Sequence, residues 1–317
     1  WQYNSNGTYA SETWANGTTN TELATLAEAM EGATSVVGFG VSTASFTDAF
    51  SVSAQETSPE GVAFNTDGTK MFVIGGTGQD VNEYALTTGF DVSTASYTQA
   101  FSVAAQDTLP KDIAFNTNGT KMFVLGNTGQ DVNEYALSTG FDVSTASFTD
   151  AFSVASQEGY PEGLAFNSDG TKMFICGQIG DDVNEYALTT GFDVSTASFT
   201  DAFSVAAQDT APRGIAFSTD GTKMFVCGSA QYKVNQYALS TGFDVSTASF
   251  TVAFSVQTQD TTPTGLAFNT DGTKMFVSGV DGQDINEYST GTTSYINQMN
   301  KTQLDAVTDP NHIALGN

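Results

Sequence analysis

A 51-residue unit occurs five times in this chain with no insertion between copies. Gly-Thr-Lys-Met-Phe begins at Gly68, Gly119, Gly170, Gly221 and Gly272. Val-Ser-Thr-Ala-Ser begins at Val41, Val92, Val143, Val194 and Val245. A unit of this length cannot bury its apolar face alone. Neighbouring copies must stack, and the fold depends on how the stack ends.

Each copy carries four strand signals. Ser45–Val52 alternates, with Phe46, Phe50 and Val52 to one side and Thr47, Ala49 and Ser51 to the other. Gly61–Phe64 is a short strand after Pro59. Lys70–Ile74 is nearly all apolar, as a strand covered on both faces should be, and Val81–Leu86 is the fourth. Asn65-Thr66-Asp67-Gly68 offers an Asp-Gly hairpin turn between the second and third. Gly at 31 and Phe at 24 of 317 residues suit tight turns and packed sheets.

The stretch Pro-x-Gly-Ile/Val/Leu-Ala-Phe-Asn-Thr-Asp-Gly-Thr-Lys-Met-Phe-Val resembles the blade motif of YVTN and NHL-type propellers. The resemblance implies an innermost strand A at 61–64, then B at 70–74, C at 81–86 and an outermost D at 97–103. The first copy opens with an orphan D strand, Phe46–Val52, and the last ends after strand C, Asp284–Tyr288. Pairing these two ends closes the ring and removes its open edges. The expected fold class is all-β, a five-bladed β-propeller of four-stranded blades with short, partly helical flanks; a linear β-solenoid is the alternative. The expected organisation is an N-terminal flank at 1–37 with a helix over Thr21–Met30, the propeller at 38–290, and a C-terminal flank at 291–317 with a helix over Lys301–Val307. A chain opening on Trp1 is expected to be a processed product or a fragment.

The charge balance excludes some functions. With 35 acidic against 9 basic residues the net charge is −26, which repels nucleic acid and anionic membranes. No apolar run approaches the length of a membrane span, so no membrane insertion is expected. Five of the nine cations are one repeated lysine: Lys70, Lys121, Lys172, Lys223 and Lys274. Cys176 and Cys227 share one repeat position, held elsewhere by Ile74, Leu125 and Ser278, and read as buried thiols.

The copies differ mainly in the D–A and B–C loops, which a propeller presents on one face, the top. Ser58, Leu109, Tyr160, Ala211 and Thr262 precede the proline; Glu60, Lys111, Glu162, Arg213 and Thr264 follow it. Blade four adds Lys233, and Gln236 where the other copies have Glu, so Arg213, Lys233 and Gln236 are expected to form a positive patch. The candidate ligand-binding residues are Ser58, Glu60, Leu109, Lys111, Tyr160, Glu162, Arg213, Lys233 and Thr264.

Repeated acids occupy the D–A loop (Glu56, Asp107, Glu158, Asp209, Asp260) and the start of strand C (Asp80, Asp131, Asp182, Asp284). They lack the dense spacing of a calcium loop and read as solvated turn acids, so no metal and no cofactor are expected. The only histidine, His312, lies in the tail, and symmetric carboxylates argue against a catalytic pair, so the expectation is a protein that is not an enzyme.

The tail Gln303–Asn317 and the near-exact copies resemble marine bacteriophage virion proteins, and the architecture resembles five-bladed lectins of the tachylectin type. These resemblances imply a virion or extracellular recognition module that binds host-surface glycans or a protein receptor. Other virion or fibre subunits, and further copies of the chain, are the additional partners implied. The alternatives are a structural part docked through its flanks, and a polysaccharide hydrolase.

Overall fold

The computed structural model describes residues 38–291. The helices expected at Thr21–Met30 and Lys301–Val307 lie outside the described residues. The described chain forms twenty strands in five four-stranded antiparallel sheets. In blade 1, strand A is Pro59–Phe64, B is Lys70–Gly75, C is Asp80–Leu86 and D is Ala95–Ser102. Blades 2 to 4 repeat this order. Blade 5 is built from Pro263–Phe268, Lys274–Gly279 and Asp284–Ser289, completed by the first strand of the chain, Ser45–Ser51. That strand pairs with Asp284–Ser289, with Phe50 opposite Ile285 and Ser51 opposite Asp284. The architecture is therefore a five-bladed β-propeller closed as its ends predict.

Strand B explains why blades stack. Met71, Phe72, Val73 and Ile74 alternate their side chains between the two faces of the sheet, yet all are fully buried, because each face meets another blade. The core is accordingly divided among the blade interfaces. Phe72, Ile74 and Val81 of blade 1 pack with Ile113, Met122, Val124 and Tyr135 of blade 2. Phe276 and Ile285 of blade 5 pack with Val62, Met71 and Tyr84 of blade 1, which closes the circle. The Phe72 ring lies 4.5 Å from Phe115 across one such interface. Burying a side chain of this size contributes about 1.5–3 kcal/mol.

Two local expectations are corrected. The D strands do not alternate evenly: Phe46 faces Tyr288 while Asp48 faces Glu287, so a bulge at Thr47 breaks the period and leaves Phe46 44% exposed. The A–B connection is longer than a two-residue Asp-Gly turn. Gly68 N–H donates to Asn65 O, and Lys70 N–H donates to the Asn65 side chain at 2.9 Å, so the asparagine closes the loop. Gly68 is required there. Its φ is +72°, and a Cβ would overlap the Phe90 ring.

The repeated lysines hold neighbouring blades together. Lys70 Nζ pairs with Glu83 Oε1 at 2.7 Å and donates to Phe141 O of blade 2. The other oxygen of Glu83 accepts from Val143 N–H of blade 2, at the start of a short 3-10 turn, Val143–Thr145. Glu287 of blade 5 does the same for Val92 of blade 1, so this girdle also crosses the closure.

Candidate functional site at the propeller axis

Strand A of each blade faces the central axis and carries a bulge just after its proline. In blade 1, Pro59 lies opposite Gly75 and Gly61 opposite Ile74, which leaves Glu60 without a cross-strand partner. Lys111, Glu162 and Arg213 are the bulged residues of blades 2, 3 and 4. A bulge re-aims a side chain, and here it turns these residues toward one another rather than outward. Lys111 Nζ lies 3.3 Å from Glu60 Oε1 and 3.2 Å from Glu162 Oε2. Arg213 Nη1 lies 3.3 Å from Glu162 Oε1 and 4.0 Å from Glu60 Oε2. Blades 4 and 1 are not neighbours, so Arg213 reaches Glu60 across the ring. Thr264 completes the set, donating to Pro59 O at 2.9 Å.

The structure thus relocates most of the sequence-predicted binding residues. Glu60, Lys111, Glu162 and Thr264 are buried in the axis. Ser58 and Leu109 are half-buried at its rim, and Tyr160 lies under the Lys111 ammonium, which stands 5.7 Å from the ring centre. The expected blade-four patch is absent. Arg213 is neutralised by the axial glutamates, and Gln236 accepts from Val41 N–H inside a blade interface. Lys233 has no ion-pair partner among the described residues.

Sequence reasoning missed Asp112. It follows Lys111 where the other four copies have Gly61, Gly163, Gly214 and Gly265, and that single departure was the available signal. Its carboxyl is buried, with Oδ1 accepting from Ile113 N–H and Oδ2 from Leu164 N–H of blade 3, both at 2.8 Å. It also packs against Gly61, where even a Cβ would come within 2.5 Å of Oδ1. Burial pushes the Asp112 pKa up to about 8; the two N–H donors oppose this, and Glu162 and Glu60 add to it.

Burial likewise raises Glu60 against the pull of Lys111. Lys111 is shared between two glutamates, and Glu60 Oε2 has no hydrogen bond. For Lys111, burial opposes the charge, but Glu162 and Glu60 together outweigh it and hold its pKa above that of an ordinary lysine.

Below this cluster, toward the A–B loops, the axis opens into a cavity of 370 Å³. Its walls are Ala63, Phe64 and their repeats, and its inner end is Val62, Ile113 and Ile215. Ile113 is the residue next to Asp112, so the apolar cavity ends where the charged cluster begins.

The acids of the D–A loops are not solvated, contrary to expectation. Glu56 is fully buried and accepts from Ser58 N–H at 2.7 Å, Thr77 N–H at 3.2 Å and Gly78 N–H at 2.9 Å. Asp107, Glu158, Asp209 and Asp260 staple their own two top loops in the same way. Loop amides that point inward need acceptors, and these carboxylates provide them. Among the described residues no group of three or more acidic, Cys or His side chains could hold a metal ion. Cys176 and Cys227 are free, buried thiols, and burial pushes Cys227 up to about 12.

No protein-family model matches this sequence, and no curated protein matches it. Solved structures do resemble it. A functionally unknown protein from Desulfotomaculum acetoxidans is 17% identical, with 73% of this chain and 68% of that one covered at a TM-score of 0.46. A proposed 6-phosphogluconolactonase from Bacteroides uniformis is 15% identical, with 74% and 69% covered at 0.45. A luciferin-regenerating enzyme is 13% identical, with 76% and 95% covered at 0.48. No residue role carries over at this distance. These likenesses show the propeller fold alone. The expectation of a protein that is not an enzyme rested on symmetric carboxylates; Asp112, buried at the axis where four copies have glycine, breaks that symmetry, and the expected virion or glycan-recognition module is corrected with it. Four of the charges expected on the glycan-binding face, Glu60, Lys111, Glu162 and Arg213, are spent on one another.

Proposed function

We propose that this chain is a hydrolase of small acyl compounds, esters or lactones, working at the inner end of the axial cavity. The observation that carries the proposal is Asp112. One copy of a near-identical repeat departs from Gly at the axis, and the residue it gains is a buried carboxyl with a pKa about 8, raised by burial and by the axial Glu162 and Glu60. Stability of the blade does not call for it, since four copies do without.

Unlike environments give unlike roles. Asp112 keeps its proton at neutral pH and serves as the general acid. Glu60, with Oε2 unbonded, serves as the base. Water adds its oxygen to the acyl carbon and gives its proton to Glu60. Lys111 and Arg213 stabilise the oxyanion, and the carbon–oxygen bond to the leaving group breaks as Asp112 protonates the departing oxygen. The apolar walls of the cavity hold the organic part of the substrate.

A panel of small lactones and aryl esters tests this. Saturable hydrolysis by the wild type that is lost in Glu60→Gln supports the proposal. No turnover of any member, or equal turnover by Glu60→Gln, refutes it.

A further inference from the structure

In four blades the first residue of strand C is an aspartate whose carboxylate is held by the asparagine two positions on. Asn82 Nδ2 donates to Asp80 Oδ1, Asn133 to Asp131 and Asn184 to Asp182 at 2.7 Å, and Asn286 to Asp284 at 2.6 Å. Blade 4 keeps the asparagine, Asn235, but has Lys233 in place of the aspartate. The consequence is visible at Asn235: it is only 2% exposed, and its Nδ2 has no acceptor. A buried amide donor left without a partner is unfavourable, so an acceptor is wanted there.

The same place is hollow. A cavity of 410 Å³ is lined by Lys233, Asn235, Gln231, Asp209, Phe250 and small residues that include Ala253. Asp209 does not compete for Lys233 as a bare charge, because its oxygens accept from Ala211, Ala230 and Gln231 N–H groups. Lys233 is half-buried at the cavity and has no carboxylate partner among the described residues. The site therefore offers an ammonium, an orphan amide donor, and an aromatic ring with an alanine wall.

We infer that blade 4 binds a small organic carboxylate from outside, its carboxylate taking the place that Asp80, Asp131, Asp182 and Asp284 fill in the other blades. The ligand's oxygens accept from Asn235 Nδ2 and Lys233 Nζ, and its apolar part lies against Phe250 and Ala253. Replacing an internal carboxylate by a cation turns a self-satisfied position into an open anion site, one local exception on a chain of net charge −26. This site is separate from the axis, and the inference does not depend on the hydrolase reading.

Benzoate is the probe, titrated at low salt while the side-chain amide resonances of Asn235 are followed by nuclear magnetic resonance. Saturable shifts at Asn235 that leave the axial residues unmoved are expected. Lys233→Asp restores the arrangement of the other four blades and should weaken benzoate binding by about tenfold or more with no loss of folding. Lys233→Met removes only the cation and should weaken it too. No saturable shift at Asn235, or unchanged affinity in both variants, overturns the inference.

Discussion

Arg213 of blade 4 and Glu162 of blade 3 meet across a blade boundary, Nη1 to Oε1 at 3.3 Å, at the place where all five A strands converge. Identical copies would bring five like side chains to this point. The chain instead sets Glu60, Lys111, Glu162, Arg213 and Thr264 in turn, so neighbouring charges alternate in sign and the odd blade contributes a neutral residue. Lys111→Met leaves both glutamates without their nearest cation in a buried setting. Breaking such a cluster costs about 3–5 kcal/mol. Urea unfolding should show a loss of that order, and a loss well under a third of it would mean that water reaches the axis.

Asp112 should leave a signature in the pH dependence of stability. Its folded pKa, about 8, stands above the ordinary 3.8, so the folded state holds a proton that the unfolded state has released. Stability therefore falls as pH rises between those values and levels off above the upper one. Glu158, pushed up to about 7 by burial, contributes the same sign and stays in both proteins of the comparison. Asp112→Gly removes the Asp112 part alone. The variant's melting temperature should gain on the wild type from pH 4 to pH 8; a constant difference would show that Asp112 is ionised throughout.

Gln236 marks the one gap in the lysine girdle. Lys223 donates to Phe39 O but has no carboxylate beside it, because Gln236 stands where Glu83 and its repeats stand. Gln236→Glu restores the pair. The counterpart lysine Lys70 is 32% exposed, so screening limits the gain to about 0.5 kcal/mol. Thermal melts at low salt should show a small rise that disappears at high salt.

Closure rests on Ser45–Ser51 pairing with Asp284–Ser289. Removing residues 1–52 exposes that strand as a free edge beside Ile285 and Tyr288. Light scattering should then report self-association, which a peptide of residues 45–51 suppresses. A monomer with an unchanged melting temperature would mean that the closing strand adds nothing.

The repeat made the propeller and its closure legible, because strand B is apolar on both faces and Phe46–Val52 has no partner in its own copy. The site was read less well. Variation at Glu60, Lys111, Glu162 and Arg213 reads in the sequence as a binding face of top loops, but strand A already begins at Pro59, so these residues face the axis. There, copies differ because they must complement one another. Glu56 and its repeats were misread for a related reason: a turn acid looks solvated until the inward-pointing amides of a second loop are known. Asp112 is a single departure from the repeat, and its importance appears when the other four copies are seen to keep glycine at that place on the axis.

In the proposed reaction Asp112 donates a proton at the axis, and the pH–rate profile of lactone hydrolysis in the wild type and in Asp112→Gly reads that role. Turnover should decline on the alkaline side as Asp112 loses its proton at about 8, and the variant should lose about 10²–10⁴-fold, the usual worth of general acid–base catalysis. Equal rates and the same profile in the two proteins would contradict that role.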